Sequence, residues 1–293
     1  MFQCRPPVAV FTNAADTANT VWQIGFWAGV SLKGTPLAAA PIVSAHFFES
    51  EFMSRFYFPH PLNIGETLAL SDSIVRHLNV LRVRSGEEIT LFDGSGTVFR
   101  ARLLQLEKRS ACVEILGAER QDNESPLKIT LVQAVSSGER MDFTLQKSVE
   151  LGVAEIRPVI SERCVVRLSG ERAEKRVARW QEIVISACEQ SGRNVVPQVL
   201  PLAGYRDALA ALPSETPKLL MSLNRASSLR EIAKPSDGLI FMVGPEGGWT
   251  QQEEQQAFDA GFRAVTLGKR VLRTETASLA AVAAMQTLWG DFV

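Results

Sequence analysis

Three glycines and a proline occur within six residues at 244–249 (GPEGGW), directly after an apolar run at 239–243. Glycine lets a backbone approach a ligand closely, and a helix beginning at Thr250 would point unpaired N–H groups at the loop. The loop therefore predicts a site that holds a small ligand largely by main-chain atoms, although a tight turn alone would also use these glycines. It lacks the Gly-x-Gly-x-x-Gly pattern and the Lys-Ser/Thr pair of phosphate-binding loops, which counts against nucleotide-cofactor oxidoreductases and nucleoside triphosphatases.

A second stretch rich in hydrogen-bonding groups lies at residues 267–277 (LGKRVLRTETA). A glycine ends the preceding predicted strand, Arg270 and Arg273 follow, and a Thr-Glu-Thr sequence enters an alanine-rich helix. Ligands of open parallel α/β sheets bind beyond the carboxyl ends of the strands. Because both stretches follow predicted strands, we expect them to form one site.

The elements that position these loops form an alternating pattern between residues 127 and 293. Strands that alternate with helices predict an α/β domain whose parallel sheet is covered on both faces. Thr250 followed by Glu253 predicts a capping box at the start of one helix. The predicted strands are 128–135, 155–160, 195–200, 217–223, 239–243 and 264–267, and the predicted helices are 139–151, 171–190, 205–212, one from 250, and 276–289.

Residues 53–119 have the pattern of a small all-β module. Residues 88–92 and 97–103 alternate between apolar and polar side chains, and the DGSG sequence between them is a hairpin turn signal. Together with a strand at 111–116, this predicts a compact β-barrel-like module that closes its own edges. The polar, turn-rich segment 120–126 is the predicted linker to the α/β domain.

Arginines are spread over the β module. Scattered arginines often form only a solvated surface, but the planar guanidinium also suits contacts with RNA phosphates and bases. Strand alternation places Arg100 and Arg102 on one face of the predicted strand 97–103. Both interpretations stay open for the set Arg55, Arg76, Arg82, Arg84, Arg100 and Arg102.

The composition restricts the class of protein without identifying it. Lys and Arg total 31 against 32 Asp and Glu, so any nucleic-acid contact must come from local patches. The cysteines are far apart and the histidines have no second ligand at metal-binding spacing, so we predict no metal, no disulfide framework and a reducing cytoplasm. No stretch is long and apolar enough to cross a bilayer. These residues are Cys4, Cys112, Cys164, Cys188, His46, His60 and His77.

Residues 1–52 differ in composition from the remainder, with abundant Ala, Pro and Thr. The short apolar run at 26–30, broken by Lys33, argues against a secretory signal peptide. We expect this segment to be an extension outside the fold, with Met53 as the natural start of the folded protein.

The two loops and several further motifs resemble those of the SPOUT methyltransferases, and specifically the RsmE family. The resemblance runs from residue 53 to the C-terminus, with the motifs in the family's order, and residues 1–52 match nothing in the family. The matching segments are 55–57, 76–78, 146–153, 161–163, 189–193 with Pro197, 244–248, 267–268 and 270–277.

The resemblance implies a deep trefoil knot in the C-terminal domain, a PUA-like RNA-binding barrel in front of it and a homodimer with its active sites near the interface. It implies methylation of N3 of one uridine of 16S ribosomal RNA, position 1498 in the family, in the small ribosomal subunit. The cofactor would be S-adenosylmethionine, bent within the knot. The residues carried over to its pocket are Leu223, Gly244, Pro245, Glu246, Gly247, Gly248, Leu267, Gly268, Val271, Leu272, Arg273 and Ala277.

Methylation of uridine N3 requires loss of the N3 proton, so a cation near the uracil oxygens would stabilise the uridinate. Arg273 and Arg193 are the first choices for that cation, and Glu275 or Glu246 for the proton acceptor. Both carboxylates could equally serve only as charges at helix N-termini. The RNA contacts are assigned to Arg55, Arg76, Arg82, Arg84 and Arg163.

Two other functions are compatible with the same motifs. One is a different SPOUT enzyme, acting on another base or on a ribose hydroxyl. The other is an RNA-binding ribosome assembly factor that kept the fold without catalysis.

Overall fold

The computed structural model describes residues 54–292, so the expected extension at 1–52 lies outside the described residues. Five strands of the N-terminal part form one sheet in the order β1-β3-β4-β5-β2. The predicted hairpin is confirmed, because β3 and β4 pair across the turn that contains Gly94 and Gly96, both at positive φ. The strands are β1 (Arg55–Tyr57), β2 (Thr67–Ala69), β3 (Glu88–Phe92), β4 (Thr97–Leu106) and β5 (Ala111–Arg120).

This sheet differs from the prediction in two ways. β1 and β2 are its end strands, so the expected closure of its edges is not seen in the part of the chain described. A helix, α1 (Asp72–Leu81), replaces what the sequence predicted as strand and turn. Its buried Ile74, Val75 and Leu78 join the core of the module, so the helix packs onto the sheet. The segment has five apolar residues in ten, and Ile74, Val75, Leu78 and Leu81 have helical spacing, so the sequence contained a helix signal that the all-β prediction overlooked.

The second sheet has eight strands, seven of them in the order β11-β13-β10-β12-β6-β7-β8, with β9 paired to β7. All of its pairs are parallel, which confirms the parallel sheet predicted from the alternating elements. The strands are β6 (Lys128–Ala134), β7 (Val153–Ile160), β8 (Gln198–Val199), β9 (Ala203–Gly204), β10 (Lys218–Met221), β11 (Ser227–Ser228), β12 (Gly238–Val243) and β13 (Phe262–Thr266).

Five helices accompany this sheet at the predicted places. Helices α3 and α6 both pack against α2, and α5 packs against β13. The capping box is confirmed, because the Thr250 hydroxyl accepts from the Glu253 N–H and the Glu253 carboxylate accepts from the Thr250 N–H. The helices are α2 (Glu139–Glu150), α3 (Gly170–Ser191), α4 (Tyr205–Ala210), α5 (Gln251–Asp259) and α6 (Thr274–Trp289), and a 3-10 turn spans Leu229–Glu231.

Two apolar cores hold the described residues together. One lies within residues 56–115, and the other is built mainly from residues 127–289. Phe92 of β3 belongs to the second core, and Tyr57 of β1 packs against it, so one edge of the β module is apolar toward the α/β part. Of the helices within residues 54–292, none combines the length and apolarity needed to traverse a bilayer.

Candidate functional site

A cleft of about 680 Å³ lies at the carboxyl ends of the adjacent strands β10, β12 and β13. Three loops line it, each following one of these strands, as the rule for ligand sites in parallel sheets predicts. Small-molecule sites typically occupy about 300–1,000 Å³, so the cleft has room for one such ligand. The lining residues are Arg140, residues 221–224, 243–249, Glu254, 266–267, 270–274 and Ala277.

The structure brings together nearly all of the residues that the resemblance carried over to a cofactor pocket. Gly268 is the exception. Its N–H and carbonyl both bond to the Thr266 hydroxyl, at 3.3 and 2.9 Å, so it shapes the turn after β13 instead of lining the cleft. Those that line the cleft are Leu223, Gly244, Pro245, Glu246, Gly247, Gly248, Leu267, Val271, Leu272, Arg273 and Ala277.

The glycine loop after β12 needs glycine for steric reasons. A Cβ on Gly247 would lie 2.9 Å from Cβ of Arg163, and one on Gly244 would lie 3.2 Å from the Trp249 ring. Gly248 has a φ of +66° and closes a turn by donating its N–H to the Pro245 carbonyl at 2.9 Å. The loop is therefore held against its neighbours by its backbone.

The glycine loop after β12 and the loop before α6 are joined by a buried hydrogen-bond network. The Thr274 hydroxyl, at the start of α6, donates to the Gly244 carbonyl at 2.6 Å and accepts from Nε2 of Gln133 at 3.1 Å. Oε1 of Gln133 accepts from the Ser278 hydroxyl at 2.6 Å, and both Gln133 and Ser278 are completely buried. Thr274 thus fixes the N-terminus of α6 to the glycine loop and to the end of β6.

Glu246 lies in the cleft wall and is held as an anion. Its Oε1 accepts from the Ser137 N–H at 2.9 Å, from the Ser137 hydroxyl at 2.8 Å and from Arg140 at 3.3 Å. Partial burial raises the pKa of this carboxyl, but the hydrogen bonds and the Arg140 charge outweigh it and lower the pKa below its usual value. A carboxylate in this state is a weak proton acceptor.

A carboxylate that the sequence analysis missed lies on the other side of the cleft. Glu254, in the first turn of α5, accepts from the Ser222 hydroxyl at 2.6 Å and from the Asn224 side chain at 3.3 Å. Ser222 and Asn224 follow β10 directly, so reading the end of that strand would have revealed two of the three polar groups. Nothing in the local pattern links them to Glu254, 30 residues or more away.

The predicted catalytic residues are separated by the structure. Arg273 is the N-cap residue of α6, is exposed and lines the cleft. Glu275 lies two residues further on and is outside the lining, and its Oε2 is buried without a hydrogen-bond partner among the described residues.

Arg193 lies outside the lining of this cleft, and its catalytic role stays a prediction. Its side chain is buried and forms an ion pair with Glu124. A second nitrogen of its guanidinium donates to the carbonyls of Val149 and Val153, at 2.9 and 2.8 Å. Nε also bonds to Glu124, at 3.0 Å, so all three nitrogens of the guanidinium are hydrogen-bonded within the protein.

The arginines assigned to RNA fall into two groups. Arg76, Arg82 and Arg84 are exposed on the β module. Arg55 instead bonds to Asn194 and lies over the Phe92 ring at 5.3 Å. Arg163 likewise bonds within the protein, donating to the carbonyls of Gly247 and Trp249, both at 3.1 Å. Two further arginines of the β module, Arg100 and Arg102, flank Glu88 at 3.7 and 3.3 Å.

Within residues 54–292, no group of three or more His, Cys, Asp or Glu side chains is arranged to hold a metal ion. Cys112, Cys164 and Cys188 are free thiols. Burial raises the pKa of the Cys188 thiol to about 12, so this sulfur stays protonated at neutral pH. It lacks the lowered pKa of a nucleophilic cysteine.

Comparison with known proteins finds two matching family models. Residues 123–286 match the model of an RNA methyltransferase domain, and residues 70–116 match that of an RNA methyltransferase PUA domain. Ribosomal RNA small subunit methyltransferase E of Buchnera aphidicola is 32% identical over 238 residues, which are 81% of this chain and 97% of that protein.

Two solved structures extend the likeness. The small subunit methyltransferase E of Neisseria gonorrhoeae, bound to S-adenosylmethionine, is 70% identical, covers 82% of this chain and all of its own, and has a TM-score of 0.80. A methyltransferase of Legionella pneumophila, in complex with the same cofactor, is 37% identical, covers 82% of this chain and 99% of its own, and has a TM-score of 0.79.

A parallel α/β domain with a glycine-lined cleft, preceded by a PUA domain, defines the class of RNA methyltransferases. Within that class, the chain belongs to the RsmE family, the family of ribosomal RNA small subunit methyltransferase E.

Proposed function

We propose that this protein transfers a methyl group from S-adenosylmethionine to N3 of one uridine of 16S ribosomal RNA. The observation that carries the proposal is the cleft at the ends of β10, β12 and β13, whose walls are the glycine loop and the loop before α6. Relatives of the same fold, at 70% and 37% identity, were crystallised with S-adenosylmethionine bound.

The residues of the cleft fit this donor. Backbone groups of residues 244–249, 267 and 270–272 border it and can hold the adenine and amino acid parts. Leu223, Val271 and Leu272 offer apolar contacts, and the first two are largely exposed, at 57% and 84%. The Glu254 carboxylate can accept hydrogen bonds from ribose hydroxyls. Bound here, the donor supplies an electrophilic methyl group on a sulfonium.

The chain's own residues then have to position and ionise the uracil. Arg273 lines the cleft and can stabilise negative charge on the uracil oxygens. Glu275 is the better proposal for the proton acceptor, because Glu246 already accepts three hydrogen bonds and has a lowered pKa. Holding uracil N3 in line with the methyl group of the donor accounts for most of the expected rate enhancement.

The decisive experiment is a methylation assay with small ribosomal subunits and with free 16S RNA from cells that lack the gene. Nuclease digestion and mass spectrometry should show 3-methyluridine at one position. Methyl groups on a ribose or on another base would indicate a different SPOUT enzyme. No transfer, combined with no binding of the donor in calorimetry, would indicate a non-catalytic assembly factor.

We expect Thr274→Val to weaken binding of S-adenosylmethionine about tenfold. Valine keeps the shape of threonine but leaves the Gly244 carbonyl and one Gln133 N–H without partners, and each unsatisfied buried group costs about 1–3 kcal/mol. Part of this cost lowers the free energy of unfolding of the protein, and part displaces the glycine loop from its position in the cleft. Calorimetric titration measures it, with Thr287→Val on the exposed side of α6 as the matched control. Equal affinities of the two variants would contradict the proposed role of Thr274.

We propose that the exposed arginines of the β module contact RNA phosphates. Arg82→Ala should then weaken RNA binding and reduce the slope of log affinity against log salt concentration by about one. Arg82 has a φ of +58°, which alanine tolerates no worse than arginine. Filter binding over a range of salt, with the exposed Arg206→Ala as control, checks this. An unchanged slope would show that Arg82 is only solvated.

The remaining expectations from the family are also proposals. A homodimer is supported by large exposed apolar side chains on helices that pack together, Phe143 of α2 and Leu288 of α6. The trefoil knot is proposed from membership of the RsmE family. We also propose the domain limits 53–119, 120–126 and 127–293 and a cytoplasmic location. Sedimentation of the purified protein tests the dimer.

A further inference from the structure

One six-residue segment makes most of the polar contacts between the β module and the α/β part. This segment, residues 189–194 (EQSGRN), comprises the last turn of α3 and the residues that follow it. We call it the junction segment. Arg193 of this segment was predicted to be catalytic, but the cleft lining contains no residue of the segment.

Its contacts reach β1 first. Glu189 accepts from the backbone N–H of Tyr57 at 3.0 Å, and the side-chain carbonyl of Asn194 accepts from Arg55 at 2.5 Å. The same arginine lies over the ring of Phe92, the residue of β3 that belongs to the α/β core. The end of the β sheet is thereby fastened to the end of α3.

The same segment also holds the hairpin turn and the linker. The Asn194 carbonyl accepts from the Gly96 N–H at 3.3 Å, and its side-chain amide donates to the Gln121 carbonyl at 3.0 Å. The Gly192 carbonyl accepts from the Asn123 side chain at 2.9 Å. A β strand, a hairpin turn and the linker therefore all meet within six residues.

Arg193 connects these contacts to the interior. It pairs with Glu124 of the linker on one side and bonds to the carbonyls of Val149 and Val153 on the other. Val149 belongs to α2 and Val153 begins β7, so the linker is tied to the scaffold of the second sheet. Gly192 makes this possible by adopting a left-handed φ of +80°, which ends α3 and turns the chain toward the linker.

We propose that the junction segment is a positioning element that sets the orientation of the RNA-binding module relative to the donor cleft. This inference rests on the proposed function. Its residues touch neither the cleft nor the exposed arginines of the module, so they act through alignment of the two. A target base displaced by about 1 Å can cost about 100-fold in rate, so loosening the junction should lower turnover more than binding.

The test is Asn194→Ala in the full chain, which removes the bonds to Arg55 and Gln121 and keeps the backbone. We expect kcat to fall about tenfold or more, while the affinities for S-adenosylmethionine and for small-subunit RNA stay within about twofold. Asn63→Ala, which removes a side-chain contact inside the β module only, is the matched control. It should leave kcat unchanged.

A direct measure of orientation accompanies the kinetics. Spin labels on Lys108→Cys and Glu215→Cys report the distance between the module and the α/β part, in a background with Cys4→Ser and Cys112→Ser and with the buried Cys164 and Cys188 retained. The distribution should broaden in Asn194→Ala and not in Asn63→Ala. Asn123→Ala is a milder second variant, since this exposed side chain touches only the Gly192 carbonyl. Asn123→Ala should also lower kcat and broaden the distance distribution, but by less than Asn194→Ala.

Each outcome decides between the alternatives. A normal kcat and a narrow distance distribution in Asn194→Ala and Asn123→Ala would overturn the proposal. So would a loss of kcat that parallels loss of donor affinity or of thermal stability, because that indicates general damage to the fold. Absence of methyl transfer by the unmodified protein would instead reject the proposed function, and the distance measurement would still test the junction.

Discussion

Replacing Arg273 by alanine should lower kcat about 100- to 1,000-fold, the typical loss when a preorganised charge-stabilising group is removed. Arg273 is exposed at the N-terminus of α6 and borders the cleft, and no carboxylate within residues 54–292 pairs with it. Its charge is therefore available for the uracil oxygens as N3 loses its proton. The affinity for S-adenosylmethionine should change by less than about threefold, because the donor carries no developing negative charge there.

Single-turnover methylation of RNA and calorimetry with the donor measure the two quantities separately. Arg263→Ala is the matched control, since Arg263 is exposed on β13 but outside the cleft lining. An Arg273→Ala protein that turns over at the native rate on bound RNA would remove this residue from the mechanism. A strong loss of donor affinity would instead assign it to cofactor binding.

Replacing Glu254 by glutamine should raise the Kd for S-adenosylmethionine about 10- to 100-fold. Hydrogen bonds to a charged group contribute about 1.5–3 kcal/mol, and the carboxylate is held in the cleft by Ser222 and Asn224. Each of its oxygens has one protein partner, so it retains acceptor capacity for the two hydroxyls of a ribose. Glutamine offers only one acceptor oxygen and no charge.

Calorimetric titration with S-adenosylmethionine checks this value. Glu182→Gln, at an exposed position of α3, is the control. Ser222→Ala should give a smaller loss than Glu254→Gln, because it leaves the carboxylate in place and removes only the group that orients it. If Glu254→Gln binds the donor with native affinity, the ribose lies elsewhere in the cleft.

Much of the fold follows from patterns within single elements. The alternation in residues 88–92 and 97–103 predicted the β3–β4 hairpin, and the pair Thr250 and Glu253 predicted a cap that the structure contains. Helix α1 was not predicted, although Ile74, Val75, Leu78 and Leu81 have helical spacing. Its ten residues lie between short strands, and the strand pattern around them was extended over them.

The site was predictable where one loop provides the groups and not where distant segments meet. The glycine loop stood out because its glycines are close in sequence. Glu254 did not, because its partners Ser222 and Asn224 come from another strand end. For Arg193, a sequence motif predicted a role in the chemistry, whereas the structure shows the guanidinium bonded to Glu124 and to the Val149 carbonyl, outside the cleft lining.

The hydrogen bond from Thr274 to the glycine loop has a consequence for biosynthesis. The strands of the β module lie within residues 55–120, so this part can fold on the nascent chain early, as domains made first generally do. The donor cleft is completed only when Thr274 and Ala277, near the C-terminus, have left the ribosome. A chain that terminates prematurely before α6 is therefore expected to occupy RNA without methylating it, and would compete with the finished enzyme.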